Sequence, residues 1–106
     1  ANVLILGITF KENCPDIRNT KVIDLYLALK SFGVQVDVYD SWAKKEEVKE
    51  EYDINLIDAI YNKKYDAIVL AVAHNEFKNI DISKLKNKKA VVYDIKNFLA
   101  IKDKSL

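Results

Sequence analysis

Gly7-Ile8-Thr9-Phe10-Lys11-Glu12-Asn13-Cys14-Pro15-Asp16-Ile17-Arg18-Asn19-Thr20 separates two segments of opposite character. Before it stands an unbroken apolar run, Val3-Leu4-Ile5-Leu6. After it Val22, Ile23, Leu25, Tyr26 and Leu29 recur at helical spacing. A buried strand that passes through a turn into an amphipathic helix is the opening of an α/β sheet. The turn then lies at the carboxyl end of the strand, where such sheets bind ligands. Its residues are unusual for a turn. Phe10 places a flat ring beside the mobile ammonium of Lys11, and Cys14-Pro15-Asp16 breaks regular structure. Arg18 is the only arginine in a chain whose other basic side chains are lysines, so a planar two-pronged donor is wanted there. Each of these residues also has a plain structural reading: Phe10 as a core plug, Lys11 as a solvated lysine, Arg18 as the partner of Asp16. Taken together in one strand-to-helix turn they form a candidate anion or nucleotide site.

Outward from this turn the chain alternates. Asn2–Ile8 is the first strand, and its continuous apolar character predicts burial on both faces. Asn19 or Thr20 caps a helix reaching about Phe32, with Val22, Leu25, Tyr26, Leu29 and Phe32 on its inner face. Gly33 ends that helix. Val34–Tyr39 alternates as a second strand ending at Asp40. Lys44–Glu51 reads as a charged surface helix with opposite charges at i,i+3 and i,i+4. A short edge strand is expected at Ile54–Leu56 and a short helix at Ile57–Tyr61. Asp66–Ala73 is the clearest inner strand after the first. Ile80–Leu85 reads as a helical turn and Ala90–Ile95 as the last strand, and the polar tail from Ala100 is expected to fray. This order gives the α/β class with a mostly parallel sheet. Three segments then share its carboxyl edge: Thr9–Arg18, His74–Phe77 and Lys96–Phe98.

Composition narrows the functions. The chain has 106 residues, half of them apolar, and a net charge of +1. That is one domain's worth of core. No basic stripe with interleaved aromatics indicates nucleic acid. One cysteine and one histidine argue against a disulfide framework or a zinc site. No apolar run approaches a membrane span, and the cytosol is the expected compartment. Methionine is absent even at position 1, and the chain starts almost directly in a strand, so it is expected to be a piece of a longer protein.

The familiar nucleotide loops are missing. Gly7 and Gly33 are the only glycines, so there is neither a Gly-x-Gly-x-x-Gly turn nor a phosphate loop. The domain is not expected to bind NAD or ATP by itself. Asp40 stands where a dinucleotide fold places its ribose-binding acid; without the glycines it reads as a turn or capping residue. Cys14 reads as packing, and His74 as a loop histidine bonded to backbone.

The stretch Gly7–Thr20, followed by Val36-Asp37-Val38-Tyr39-Asp40, resembles the carboxy-terminal domain of the UDP-glucose/GDP-mannose dehydrogenase family. Lys11-Glu12-Asn13-Cys14-Pro15-Asp16-Ile17-Arg18-Asn19 looks like the branch that oxidises UDP-N-acetylhexosamines for bacterial capsule, Vi-type or O-antigen polysaccharide. Ala67–Phe77 and Val91–Asn97 also fit, so the resemblance covers nearly the whole chain. It implies a Rossmann-like three-layer sandwich that binds a UDP-sugar. It also implies an amino-terminal NAD-binding domain and a central dimerisation helix elsewhere in the parent, which would act as a homodimer. The catalytic cysteine, which forms a thiohemiacetal, would lie upstream; Cys14 does not correspond to it, and no catalytic residue is expected in this chain. Phe10 and Lys11 match the pair that contacts the UDP-sugar, and Arg18 the arginine that reaches NAD on the other domain. Lys96 falls where many members carry the Arg of Asp-Gly-Arg at the substrate, although here the sequence is Asp94-Ile95-Lys96. The competing expectations are the same domain of a UDP-glucose dehydrogenase and a stand-alone α/β binding module. A receiver-like module would need an acidic pair after the first strand, where Thr9-Phe10-Lys11 stands instead.

Overall fold

The first strand forms where the apolar run predicts it, and it is lined on both sides by neighbours. The computed structural model describes residues 2–9, 16–17, 22–60, 64–72, 74–81, 84–94 and 104–105. In chain order these form β1 (Asn2–Leu6), α1 (Val22–Ser31), β2 (Gln35–Tyr39), α2 (Lys45–Tyr52), β3 (Tyr65–Leu70), a 3₁₀ helix (Asn75–Asn79), β4 (Lys86–Asp94) and β5 (Lys104–Ser105). The sheet order is β2-β1-β3-β4-β5, and every pairing is parallel. β1 and β3 are therefore neighbouring inner strands, with Leu4 opposite Ile68 and Leu6 opposite Leu70.

Side chains alternate across a strand, so an inner strand feeds two cores. Leu4, Leu6, Ile68 and Leu70 join Ile60, Tyr65, Phe77, Leu85 and Val92 on one face. Ile5 and Val38 join Ile8, Ile17, Val48, Ile54, Leu56 and Ala71 on the other. Leu4, Ile5 and Leu6 are wholly inaccessible. Each such side chain contributes roughly 1.5–3 kcal/mol on burial. β1 is accordingly the strand on which both layers depend.

α1 packs Val22, Ile23, Leu25, Tyr26 and Leu29 against the second core. Gly33 follows at φ +79°, the left-handed conformation that closes a helix, and donates to the Lys30 carbonyl. Phe32 departs from its expected inner position. It lies past the last helical residue, in the closing turn, and is 79% exposed. α2 rests on the same core through Val48 and Tyr52, and Lys49 pairs with Asp53 at its end.

The connection from α2 to β3 differs from expectation in two respects. Ile54–Leu56 forms no strand, although Ile57 donates one backbone hydrogen bond to Val38 of β2 at 3.0 Å. The described part of the expected helix, Ile57–Ile60, is irregular. Ile54 and Leu56 pack on one face of the sheet, Ile57 and Ile60 on the other. The segment wraps the free edge of β2, and these anchors replace a helix too short to nucleate alone. Among the described residues the third layer is therefore this segment and the 3₁₀ helix, rather than α-helices.

β4 begins at Lys86, before the expected Ala90, because a register shift lets Tyr65 pair with Lys86 ahead of the regular ladder. The tail was expected to fray, yet Lys104 and Ser105 pair with Tyr93 and Asp94. Backbone pairing at a parallel edge requires no apolar side chain. No helix among the described residues is long and apolar enough to cross a membrane.

Candidate functional site at the carboxyl edge of the sheet

The carboxyl ends of β1, β2 and β3 meet on one buried carboxylate. Asp40 directly follows β2 and is 8% exposed. Its Oδ1 accepts the backbone N–H groups of Trp42 at 2.7 Å and Ala43 at 2.9 Å. That is a side chain folding its own following turn. Its Oδ2 accepts the N–H groups of Ile8 at 2.7 Å and Thr9 at 3.3 Å, the residues that continue β1. His74 Nε2 approaches the same oxygen at 3.0 Å.

His74 is inaccessible to solvent, and its Nε2 also lies 3.0 Å from Thr9 Oγ1. Burial pushes the Asp40 carboxyl up, but the hydrogen bonds from His74, Ile8 and Ala43 outweigh it and hold the group below its ordinary 3.8. An ionised carboxylate only accepts, so Nε2 carries the proton that faces it. The imidazole is packed edge-on to Phe77, ring centroids 5.3 Å apart, with Trp42 6.1 Å away on another side. His74 Nε2 thus meets two side chains, Asp40 and Thr9. Asp40 does fold a turn, as read, but it also ties two other segments to that turn.

Gly7 explains how the ends come so close. It sits at φ +98°, and a Cβ there would stand 2.6 Å from Val72 Cβ and 2.9 Å from the Val72 backbone N and O. Only a glycine allows β1 and β3 to leave the sheet in contact. The backbone confirms that closeness, since the N–H groups of Ala71 and Val72 both donate to the Leu6 carbonyl.

Toward solvent, the Trp42 indole donates to Glu76 Oε2 at 2.9 Å, and Ser41 Oγ donates to the same oxygen at 3.4 Å. The Glu76 backbone N–H and the indole hold this carboxylate below its usual range. Beneath it Tyr39, Ile60, Phe77 and Ile80 line an open groove of about 260 Å³.

Phe10, Lys11, Arg18 and Lys96 lie outside the described residues, as do Cys14 and Pro15. Their described neighbours are firmly placed. Thr9, bonded to Phe10, is buried in the Asp40 cluster. Ile17, bonded to Arg18, is 6% exposed in the second core, and its carbonyl accepts the Tyr52 hydroxyl at 2.6 Å. Asp94, two residues before Lys96, pairs with Leu70 at the end of β4. Thr9 and His74 converge, as two of the three expected segments should.

Val72 stands directly against Gly7 at the start of the first turn. Asp40, the position of a ribose acid, is buried with both oxygens committed to protein donors. Among the described residues no three His, Cys, Asp or Glu side chains gather to hold a metal ion.

The UDP-glucose/GDP-mannose dehydrogenase family, UDP binding domain, matches residues 4–101. The chain is 48% identical over 108 residues to a UDP-N-acetyl-D-glucosamine 6-dehydrogenase of Pseudomonas aeruginosa, covering 99% of this chain and 25% of that protein. It is 46% identical to the enzyme of the same name from Salmonella typhi, over 93% of this chain and 24% of that protein. Among solved structures, the UDP-N-acetyl-mannosamine dehydrogenase Cap5O of S. aureus superposes with a TM-score of 0.76 at 22% identity. That superposition covers 98% of this chain and 25% of the other, and it speaks for the fold. The chain spans about a quarter of the length of the relatives it matches.

Proposed function

This chain belongs to the UDP-glucose/GDP-mannose dehydrogenase family, as its UDP binding domain, and we propose that it is the UDP-sugar-binding lobe of a longer NAD-dependent enzyme. That enzyme oxidises the primary alcohol of a UDP-N-acetylhexosamine to the uronic acid, in the cytoplasm, for surface polysaccharide. The relatives at 46–48% identity carry N-acetylglucosamine in their names, which supports the hexosamine. The observation that carries the reading is the convergence of Thr9, Asp40 and His74 at the carboxyl edge. This is where open α/β sheets bind ligands, and it is the base from which the Phe10–Lys11 segment departs.

Phe10, Lys11 and Lys96 are the proposed substrate contacts. A hydrogen bond from the Lys11 ammonium to a diphosphate oxygen contributes roughly 1.5–3 kcal/mol. NAD, which takes the two hydrides, sits on a separate domain; the lack of a Gly-x-Gly-x-x-Gly turn in this sequence supports that placement. Arg18 reaches toward that cofactor with its planar fork. The parent is a homodimer joined by a central helix, and its catalytic cysteine lies on a segment other than this one.

Steady-state kinetics of the full-length enzyme, each substrate varied in turn, tests the assignment. Lys11→Ala raises KM for the UDP-sugar by roughly 10- to 100-fold, the bond above expressed as affinity. Arg18→Lys keeps the charge, loses the fork and impairs NAD use. An Arg18→Lys enzyme with unchanged NAD dependence and lowered stability makes Arg18 the structural partner of Asp16. The 106-residue chain alone yields no NADH from NAD and UDP-hexoses; NADH formation by it contradicts the proposal.

A further inference from the structure

We propose that the groove beside the 3₁₀ helix is a docking site for an arginine side chain of a partner polypeptide, held between the Glu76 carboxylate and Tyr39.

Three parts of the chain build the groove. β2 supplies Tyr39, the segment after α2 supplies Ala59 and Ile60, and the 3₁₀ helix with the residue after it supplies Glu76 and Ile80. Phe77, wholly buried, packs against Tyr39 with ring centroids 6.2 Å apart, so the tyrosine ring rests on the core. The volume, about 260 Å³, is below the roughly 300–1,000 Å³ of clefts that enclose a drug-sized ligand. There is room for one long side chain, and a polypeptide carrying that side chain covers the open side.

Charge then selects the occupant. Among the described residues that line the groove none is basic, and Glu76 is acidic. The phosphates of a nucleotide would meet a carboxylate there with no lining cation to offset it, so an anionic ligand is disfavoured. The carboxylate is also held in place. An exposed glutamate ordinarily keeps its rotamer freedom. Here the Trp42 indole at 2.9 Å and Ser41 Oγ at 3.4 Å both donate to Oε2. Trp42 is in turn anchored through its backbone N–H to Asp40 Oδ1 at 2.7 Å. Both side-chain bonds end on Oε2; Oε1 receives neither. A guanidinium suits this setting. It donates to the carboxylate, its flat face rests on an aromatic ring, and its aliphatic stem packs along Ile60 and Ile80. An ammonium carries the same charge but lacks the flat face, so arginine is preferred over lysine.

Amide chemical-shift titrations of the isotope-labelled 106-residue chain test the assignment. The probe is acetyl-Leu-Arg-Leu-amide. The same peptide with citrulline, the neutral isostere of arginine, and free N-acetylarginine amide are the comparators. The arginine peptide should shift Glu76, Phe77, Asn79 and the Trp42 indole N–H, and saturate in the millimolar range. An exposed ion pair is weak, so discrimination is modest: the citrulline peptide should bind about threefold more weakly. Glu76 is exposed, so Glu76→Gln removes the charge without disturbing the core. That variant should bind the arginine peptide no better than the citrulline one. Glu50→Gln, at an exposed carboxylate on α2, should leave affinity within about 1.5-fold. Shifts confined to other residues, equal binding of the two peptides, or equal loss in the two variants overturns the proposal. Free N-acetylarginine amide binding as tightly as the peptide also overturns it, because the occupant would then be a small cation rather than a polypeptide.

Discussion

Substituting alanine at each glycine in turn separates backbone strain from steric collision. Gly7 and Gly33 both sit at positive φ, +98° and +79°. A β-carbon costs about 1–2 kcal/mol in that conformation. At Gly33 nothing lies within 4 Å of the added atom, so this strain is the whole penalty. At Gly7 the new carbon would stand 2.6 Å from Val72 Cβ and 2.9 Å from two Val72 backbone atoms. Backbone cannot rotate away as a side-chain tip can, so β1 and β3 must separate at their exits. Overpacking of this kind adds about 1–3 kcal/mol. Gly7→Ala should then cost about 2–5 kcal/mol in all, a large share of the roughly 5–15 kcal/mol available to a domain of this size. Urea unfolding followed by circular dichroism measures both variants. With a slope of roughly 1–2 kcal/mol/M, the Gly7→Ala midpoint should fall below that of Gly33→Ala by about 0.5–3 M. Midpoints within about 0.3 M of each other refute the reasoning, because the contact with Val72 would then carry no penalty.

The folded pKa of Asp40 lies below its ordinary 3.8, lowered by His74, Ile8 and Ala43 against the opposing effect of burial. The stability this difference supplies is complete above about pH 4 and disappears as pH falls through the folded value. Asp40→Asn should therefore flatten the fall of the urea midpoint below about pH 4; an unchanged acid limb contradicts it. Phe32→Ser, at the 79% exposed position, should change stability by less than about 0.5 kcal/mol. Leu29→Ala, one turn earlier and packed on the second core, should cost about 1–2 kcal/mol. Thermal unfolding of the two variants distinguishes them, and equal melting temperatures would show that both side chains face the same environment.

Much of the fold was legible because apolar runs leave few choices. Val3–Leu6 and Ile68–Leu70 carry no polar residue, and both proved to be inner strands, the first feeding two cores. Gly33 could be read as a helix stop from position alone. Most of the failures share one cause: the deciding partner is distant in sequence. Ile57 and Ile60 have helical spacing, yet that spacing equally serves a segment wrapped around the β2 edge. Lys86–Lys89 shows no strand pattern, since only its backbone ladder with β3 makes it one. Phe32 continues the helical stripe by count, but the turn at Gly33 removes it. At the site, Thr9–Arg18, His74–Phe77 and Lys96–Phe98 were expected at one edge on topology. Asp40 was read only as a local turn residue, because Ile8, Thr9 and His74 are 31 to 34 positions away. One local signal was present: an aspartate ending a strand with no glycine loop to serve.

The most direct measurement of the central claim is an amide chemical-shift titration of the isotope-labelled chain with UDP. Shifts are expected at Ile8, Thr9, Phe10, Lys11 and His74, together with the indole of Trp42, the chain's only tryptophan. The amino ends of the strands, at Asn2, Gln35 and Asp66, should not respond. Saturable binding that moves the amino-end signals and leaves the carboxyl edge unchanged would contradict it, as would no response at millimolar UDP.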